Sequence, residues 1–200
     1  MFFTKKMLVA IEGGDKCGKS TLANNFNKKY NCKVIKFPNR ESLTGRVLDC
    51  FLKGGCDLDK KTVHELFSAN RMEMLEYLNE CSKSDEVYFL DRYVYSGAAY
   101  SICHGLEMEW CIEADKLLPE ADLVIWLNPA LDIVEERIKT CTDAEIYESV
   151  GFQKMLDTAF RSVFSYVGAR VVEITMPGSE DEVFNECIFQ LQQRFDLTTE

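Results

Sequence analysis

Residues 13–20 read Gly13-Gly14-Asp15-Lys16-Cys17-Gly18-Lys19-Ser20, which satisfies G-x-x-x-x-G-K-[ST], and Thr21 follows. In such a run the glycines let the backbone N–H groups converge on an anion. The lysine reaches the outer phosphates, and the hydroxyl supplies an oxygen ligand to Mg²⁺. The pattern carries this chemistry only between a strand and a helix. Met7–Ile11 is an apolar run and 20–30 has a helical pattern, so the context is present. Gly13 to Thr21 are therefore expected to bind a nucleoside triphosphate with its Mg²⁺. The other reading is a glycine turn that merely precedes Lys-Ser.

More chemistry-bearing residues follow two further predicted strands. Phe37-Pro38-Asn39-Arg40 ends one of them, since proline stops a strand and sets a turn. Asp91-Arg92-Tyr93 ends another. A carboxylate after four apolar residues suits Mg²⁺ or its water shell; alone, it would equally cap the next helix. Arg40 and Arg92 are planar forks able to hold a second phosphate bidentately, although one arginine in a loop is ordinarily a solvated charge. Phe67, Asn70 and Arg71 stand at i, i+3 and i+4 of a predicted helix. An aromatic plate beside hydrogen-bond donors would suit a nucleobase; aromatics at that spacing are also common in cores.

The elements that must position these groups alternate. Strands are predicted at Met7–Ile11, Lys33–Phe37, Val87–Leu90, Leu123–Leu127 and Val171–Ile174. The first, third and fourth are continuous apolar runs, as in strands buried on both faces of a parallel sheet. Lys36 and Glu173 interrupt the other two, which points to sheet edges. Helical patterns cover 20–30, 42–53, 61–82, 94–103, 107–117, 130–139, 145–167 and 181–195. Ser179 is placed to cap the last, with Glu180, Asp181 and Glu182 in its first turn. This is an α/β fold with right-handed crossovers, in which ligands bind outside the carboxyl ends of the strands.

The 200 residues suit one domain, and 46% hydrophobic content suits a packed core. A net charge of −10 argues against binding nucleic acid or anionic lipid, which makes convergent arginines informative. Nine cysteines without a C-x-x-C pair, and only two histidines, point to reduced thiols rather than a disulfide framework or zinc site. His64 and His104 read as structural or surface residues. No signal peptide or membrane span is expected.

In this order the residues resemble the thymidylate kinase family, more closely its eukaryotic and poxvirus-like branch. The resemblance is carried by residues 12–21, 37–40 and 66–71, then Asp91-Arg92-Tyr93-Val94-Tyr95-Ser96-Gly97-Ala98-Ala99-Tyr100. Trp110-Cys111, residues 118–123 and Glu145-Ile146-Tyr147-Glu148 complete it. It implies a P-loop nucleoside monophosphate kinase fold: a parallel five-stranded sheet flanked by helices, one domain over 1–200, with a short lid at about 139–148. It also implies the reaction ATP + dTMP ⇌ ADP + dTDP, a step of dTTP synthesis, with Mg²⁺ and a homodimer. A cytoplasmic enzyme with access to the nucleus is expected.

The resemblance gives roles as well. Arg40 and Arg92 resemble the clamps on the acceptor 5′-phosphate, with Phe37 and Asn70 in the same substrate site. Phe67 resembles the residue that stacks on thymine, and Arg71 the one that bonds its carbonyl edge. Asp15 resembles the carboxylate near the 3′-hydroxyl, and Ser96, Gly97 and Tyr100 the pocket floor. Tyr147 resembles the lid tyrosine that disfavours a 2′-hydroxyl, and Arg137 borders the adenine. Lys16, Lys19, Asp91 and Arg92 are the implied catalytic set. The chain departs at Asn39, where many relatives are acidic, and in its lid, which has no arginine. Lys16 supplies a cation from the loop instead.

Competing readings make different demands. A deoxynucleoside kinase has no acceptor phosphate and no use for two arginines there. A GTP-dependent switch needs Asn-Lys-x-Asp, and the only Asn-Lys, Asn27-Lys28, continues Lys29-Tyr30. A kinase of this fold with relaxed base choice, taking dUMP or dGMP, remains as an alternative.

Overall fold

Strand β1 (Met7–Gly13) is covered on both sides: Leu8 and Ala10 enter one core cluster, Val9 and Ile11 the other. A strand without a solvent face has no reason to alternate with polar residues, hence its apolar run. The computed structural model describes residues 7–139, 150–175 and 178–195. After β1 come α1 (Lys19–Tyr30), β2 (Lys33–Lys36), α2 (Leu43–Leu52), α3 (Lys60–Met72), α4 (Leu75–Cys81) and β3 (Val87–Asp91). Then follow α5 (Val94–Cys103), α6 (Met108–Glu113), β4 (Leu123–Leu127), α7 (Leu131–Lys139), α8 (Val150–Val167), β5 (Val171–Ile174) and α9 (Glu180–Phe195).

The five strands pair in parallel in the order β2-β3-β1-β4-β5. The two interrupted runs, β2 and β5, are the edges, as their charged residues suggested. One core side packs Phe26 between Phe89 and Phe184, with ring centroids 4.2 and 5.0 Å away, joining α1, β3 and α9. The other holds the sheet face carrying Leu8, Ala10, Leu90 and Trp126 against Tyr95, Phe160 and Phe164. Ser179 and Glu182 form a reciprocal capping box at α9: Ser179 N donates to Glu182 Oε2 at 2.7 Å, and Glu182 N to Ser179 Oγ at 3.3 Å. Among the described residues no helix is long and apolar enough to cross a membrane.

Among the described residues, three elements differ from the sequence pattern by more than one residue. β1 runs two residues further, because Glu12 and Gly13 pair with Trp126 and Leu127 of β4. The helix expected over 61–82 is two: Met74 N bonds back to Arg71 O at 3.0 Å, a tightened last turn that ends α3 before α4 begins. The helix expected over 107–117 covers only Met108–Glu113. The implied lid beyond Lys139 lies outside the described residues, as does Tyr147.

Candidate active site

The carboxyl ends of β1, β2 and β3 open onto one cleft of about 810 Å³. Asp59 caps α3, accepting from Lys61 N at 3.0 Å and Thr62 N at 3.2 Å, and α3 brings Phe67 and Arg71 to the same cleft. Groups spread over more than a hundred residues of sequence therefore share one space.

The loop after β1 forms the first part. Lys19 opens α1 with its side chain buried, and its ammonium donates to Gly14 O and lies 3.6 Å from Cys17 Sγ. Lys16 adopts a left-handed conformation (φ 59°), and its carbonyl accepts from Arg137 Nη1 at 3.1 Å. Ser20 Oγ donates to Asp91 Oδ2 at 2.5 Å, with Lys36 Nζ 4.0 Å from that carboxylate oxygen. Lys16, Lys19, Ser20, Thr21, Asp91 and Arg137 all line the cleft. Gly13 lies behind it, where a Cβ would fall 2.3 Å from Leu127 O. Gly14 and Cys17 border a small second cavity beside Trp126.

Arg92 is the most constrained group here. Its φ of 67° is left-handed, a state that costs a residue with a Cβ about 1–3 kcal/mol unless the surroundings enforce it. They do: Arg92 N donates to Ile11 O at 3.0 Å and Arg92 Nη1 to Gly13 O at 3.0 Å. Arg92 Nη2 pairs with Asp15, whose other oxygen accepts from Tyr100 OH at 2.9 Å. Burial pushes the Asp15 carboxyl up, but the charges of Arg92 and then Lys19 outweigh it and hold it below the usual range. Tyr100, pushed well up by burial, stays protonated and donates. Arg40, also in the cleft, pairs with Asp49 at 2.6 Å.

Phe67 lines the cleft, half-buried, with Phe37, Ser96 and Gly97. Arg71 is held by Asp115 through Nε at 3.1 Å and Nη2 at 2.6 Å, nearly out of solvent. Gly97 makes room for it: a Cβ there would meet Arg71 Nη2 at 2.6 Å.

Asn70 is placed otherwise than expected. It is not among the described cleft-lining residues and is fully buried. Its Oδ1 accepts from Asn39 N (2.7 Å), and its Nδ2 donates to Asn39 O (3.1 Å), Ser42 Oγ (2.9 Å) and Thr44 Oγ1 (2.9 Å), so it braces the loop carrying Arg40. His64 is structural, bonded to Ser101 Oγ and Cys111 O at 2.7 and 3.0 Å.

A family model described as thymidylate kinase matches residues 11–187. The chain belongs to the thymidylate kinase family. It is 33% identical to the thymidylate kinase of Schizosaccharomyces pombe over 192 residues, covering 90% of this chain and 89% of that one. It is 30% identical to the Homo sapiens thymidylate kinase over 153 residues, covering 74% and 71%. The solved thymidylate kinase of Candida albicans superimposes with a TM-score of 0.80 at 26% identity, covering 97% and 94%. This thymidylate kinase family member is thus a phosphotransferase that uses ATP as donor and dTMP as acceptor, on the P-loop nucleoside monophosphate kinase fold.

Two residues of the thymidylate kinase site had been given no role. Asp115 carries no local signal, because Arg71 is 44 positions away in sequence. Glu12 does carry one: a carboxylate inside an apolar strand must find partners when buried. It is fully buried and accepts from Tyr93 N at 2.9 Å, Ser96 N at 3.2 Å and Ser96 Oγ.

Proposed function

We infer that the residues gathered in this cleft carry out the transfer of the γ-phosphoryl group of ATP to the 5′-phosphate oxygen of dTMP, giving ADP and dTDP. The observation that carries the assignment is one cleft lined both by the phosphate loop with Lys19 and, at the ends of β2 and β3, by the guanidiniums of Arg40 and Arg92. One anion site would serve hydrolysis or a switch; two suit transfer between phosphates.

Arg40 and Arg92 hold the acceptor phosphate, and Phe67 with Arg71 holds the base by stacking and a donated hydrogen bond. Asp15, fixed by Arg92 and Tyr100, faces the sugar, with Ser96 and Gly97 beneath it. Lys16 and Lys19 offset charge on the transferring group. The acceptor oxygen is already ionised, so no strong general base is needed. The transition state is loose, and the protein's contribution is alignment and charge stabilisation.

Ser20 and Asp91 fit Mg²⁺: a hydroxyl and a carboxylate are hard oxygen ligands, and the ion keeps waters and phosphate oxygens for its other positions. When bound, Mg²⁺ neutralises donor phosphate charge. We also place the chain in a homodimer. Leu43 (75% exposed) and Val47 stand four residues apart on α2, apolar side chains that a second copy would cover. Sedimentation equilibrium tests this, and a single species of monomer mass would overturn it. A cytoplasmic location, with access to the nucleus, completes the reading.

The deciding experiment is ADP release from ATP with dTMP, dUMP, dGMP, dCMP and thymidine as acceptors. The expected result is turnover with dTMP and none with thymidine. Turnover with thymidine alone would remove the second phosphate site from the reading.

A further inference from the structure

Three consecutive residues of β1 hold one short segment after β3. Ile11 O takes Arg92 N at 3.0 Å, and Gly13 O takes Arg92 Nη1 at 3.0 Å. Between them, Glu12 Oε1 takes Tyr93 N at 2.9 Å and Ser96 N at 3.2 Å, and Glu12 Oε2 takes Ser96 Oγ. Tyr93 opens α5 without a side-chain cap of its own, so Glu12, from another strand, is the cap.

Glu12 is fully buried and does not line the cleft. An anion in that position is ordinarily unfavourable, and an amide would serve a plain cap. What distinguishes the place is its neighbours. The phosphate loop starts one residue later, and Arg92 sits one residue before the capped turn.

We propose that Glu12 is a positioning residue for the acceptor half of the site: by tying the first turn of α5 to the strand that bears the phosphate loop, it sets where the Arg92 guanidinium stands relative to the donor. The proposal rests on the reading of Arg92 as an acceptor-phosphate clamp. In-line transfer is sensitive to such placement, since a displacement of about 1 Å can cost about a hundredfold in rate.

Glu12→Gln keeps the shape and one carbonyl acceptor, but removes the charge and the acceptance from Ser96 Oγ. It is compared with Arg92→Ala and the double variant at pH 8, measuring kcat and KM for dTMP and for MgATP. Circular dichroism and Tm report the fold. The expected result for Glu12→Gln is a loss of at least about tenfold in kcat/KM for dTMP, with KM for ATP changed by less than about twofold. In the Arg92→Ala background the same change should add less than about twofold, because its route is gone. Equal losses toward dTMP and ATP, or an undiminished loss when Arg92 is alanine, would overturn the proposal. Normal dTMP kinetics in Arg92→Ala would remove the clamp reading itself. A loss there with normal Glu12→Gln kinetics would remove only the positioning role. Should Glu12→Gln fail to fold, Glu12→Asp, which keeps the charge but shortens its reach to α5, carries the same cycle: its effect on dTMP must likewise vanish in the Arg92→Ala background, and persistence there would overturn the proposal.

Discussion

The Asp115 carboxylate holds the Arg71 guanidinium by two hydrogen bonds, Nε at 3.1 Å and Nη2 at 2.6 Å, with side chains only 3% and 5% exposed. Ser68 Oγ donates to Asp115 Oδ1 at 2.8 Å as well. The pair fixes the plane of the fork at the cleft wall, and Gly97 leaves the space it occupies. A guanidinium only donates, so on the proposed reading Arg71 offers a base a hydrogen-bond donor and no acceptor.

Breaking this pair from one side leaves a buried, unpaired cation. Asp115→Ala should therefore destabilise the fold by roughly 3–5 kcal/mol. Urea unfolding measures it; an unchanged midpoint and slope would mean that Arg71 needs no counter-charge.

Phe67 is half-buried, packed at the edge of the core and open to the cleft. Phe67→Ala should weaken dTMP binding by roughly 1–3 kcal/mol, the scale of base stacking on an aromatic. Calorimetric titration with dTMP reads this directly. A large drop in Tm at constant dTMP affinity would make Phe67 a core residue instead.

Lys19 is the buried cation of the phosphate loop. Lys19→Ala should lower kcat by at least about a hundredfold, the cost of removing one strong electrostatic contact to a developing charge. The circular dichroism spectrum should be unchanged. Full turnover in this variant would take the loop out of the mechanism.

Burial pushes the Glu12 carboxyl up from the ordinary 4.5 to about 7, against the pull of Ser96 and Arg92. Between those values the folded protein holds a proton that the unfolded chain has lost. This contribution to stability is thus fully present below about 4.5 and lost as pH rises through 7. Its total is on the order of 3 kcal/mol, from the width of that interval. Urea unfolding from pH 5 to pH 8 should show the wild type losing stability relative to Glu12→Gln. Parallel pH profiles for the two would contradict the shift.

Much was legible in the chain because it is local. A phosphate loop is eight consecutive residues, and a parallel strand buried on both faces writes its burial into adjacent apolar positions. Edge strands declared themselves through Lys36 and Glu173, and the cap of the last helix through Ser179. The shared cleft of Arg40, Phe67, Arg71 and Arg92 was foreshadowed because each lies near the end of a strand or on one helix face. Local pattern also misled: Asn70 shares a helical face with Phe67, but its amide bonds to Asn39, Ser42 and Thr44, around the start of α2, instead of facing the cleft.

By itself the sequence determined the order of the strands, the phosphate-loop motif and the residue types available at the strand ends. Only the tertiary structure decided which polar groups face the cleft and which hold them there. Asp115 reaches Arg71 across 44 residues and Glu12 reaches Ser96 across 84. Such pairings follow from sheet order and helix packing, because a buried charge must be matched by whatever the fold brings to it, and no spacing along the chain encodes that match.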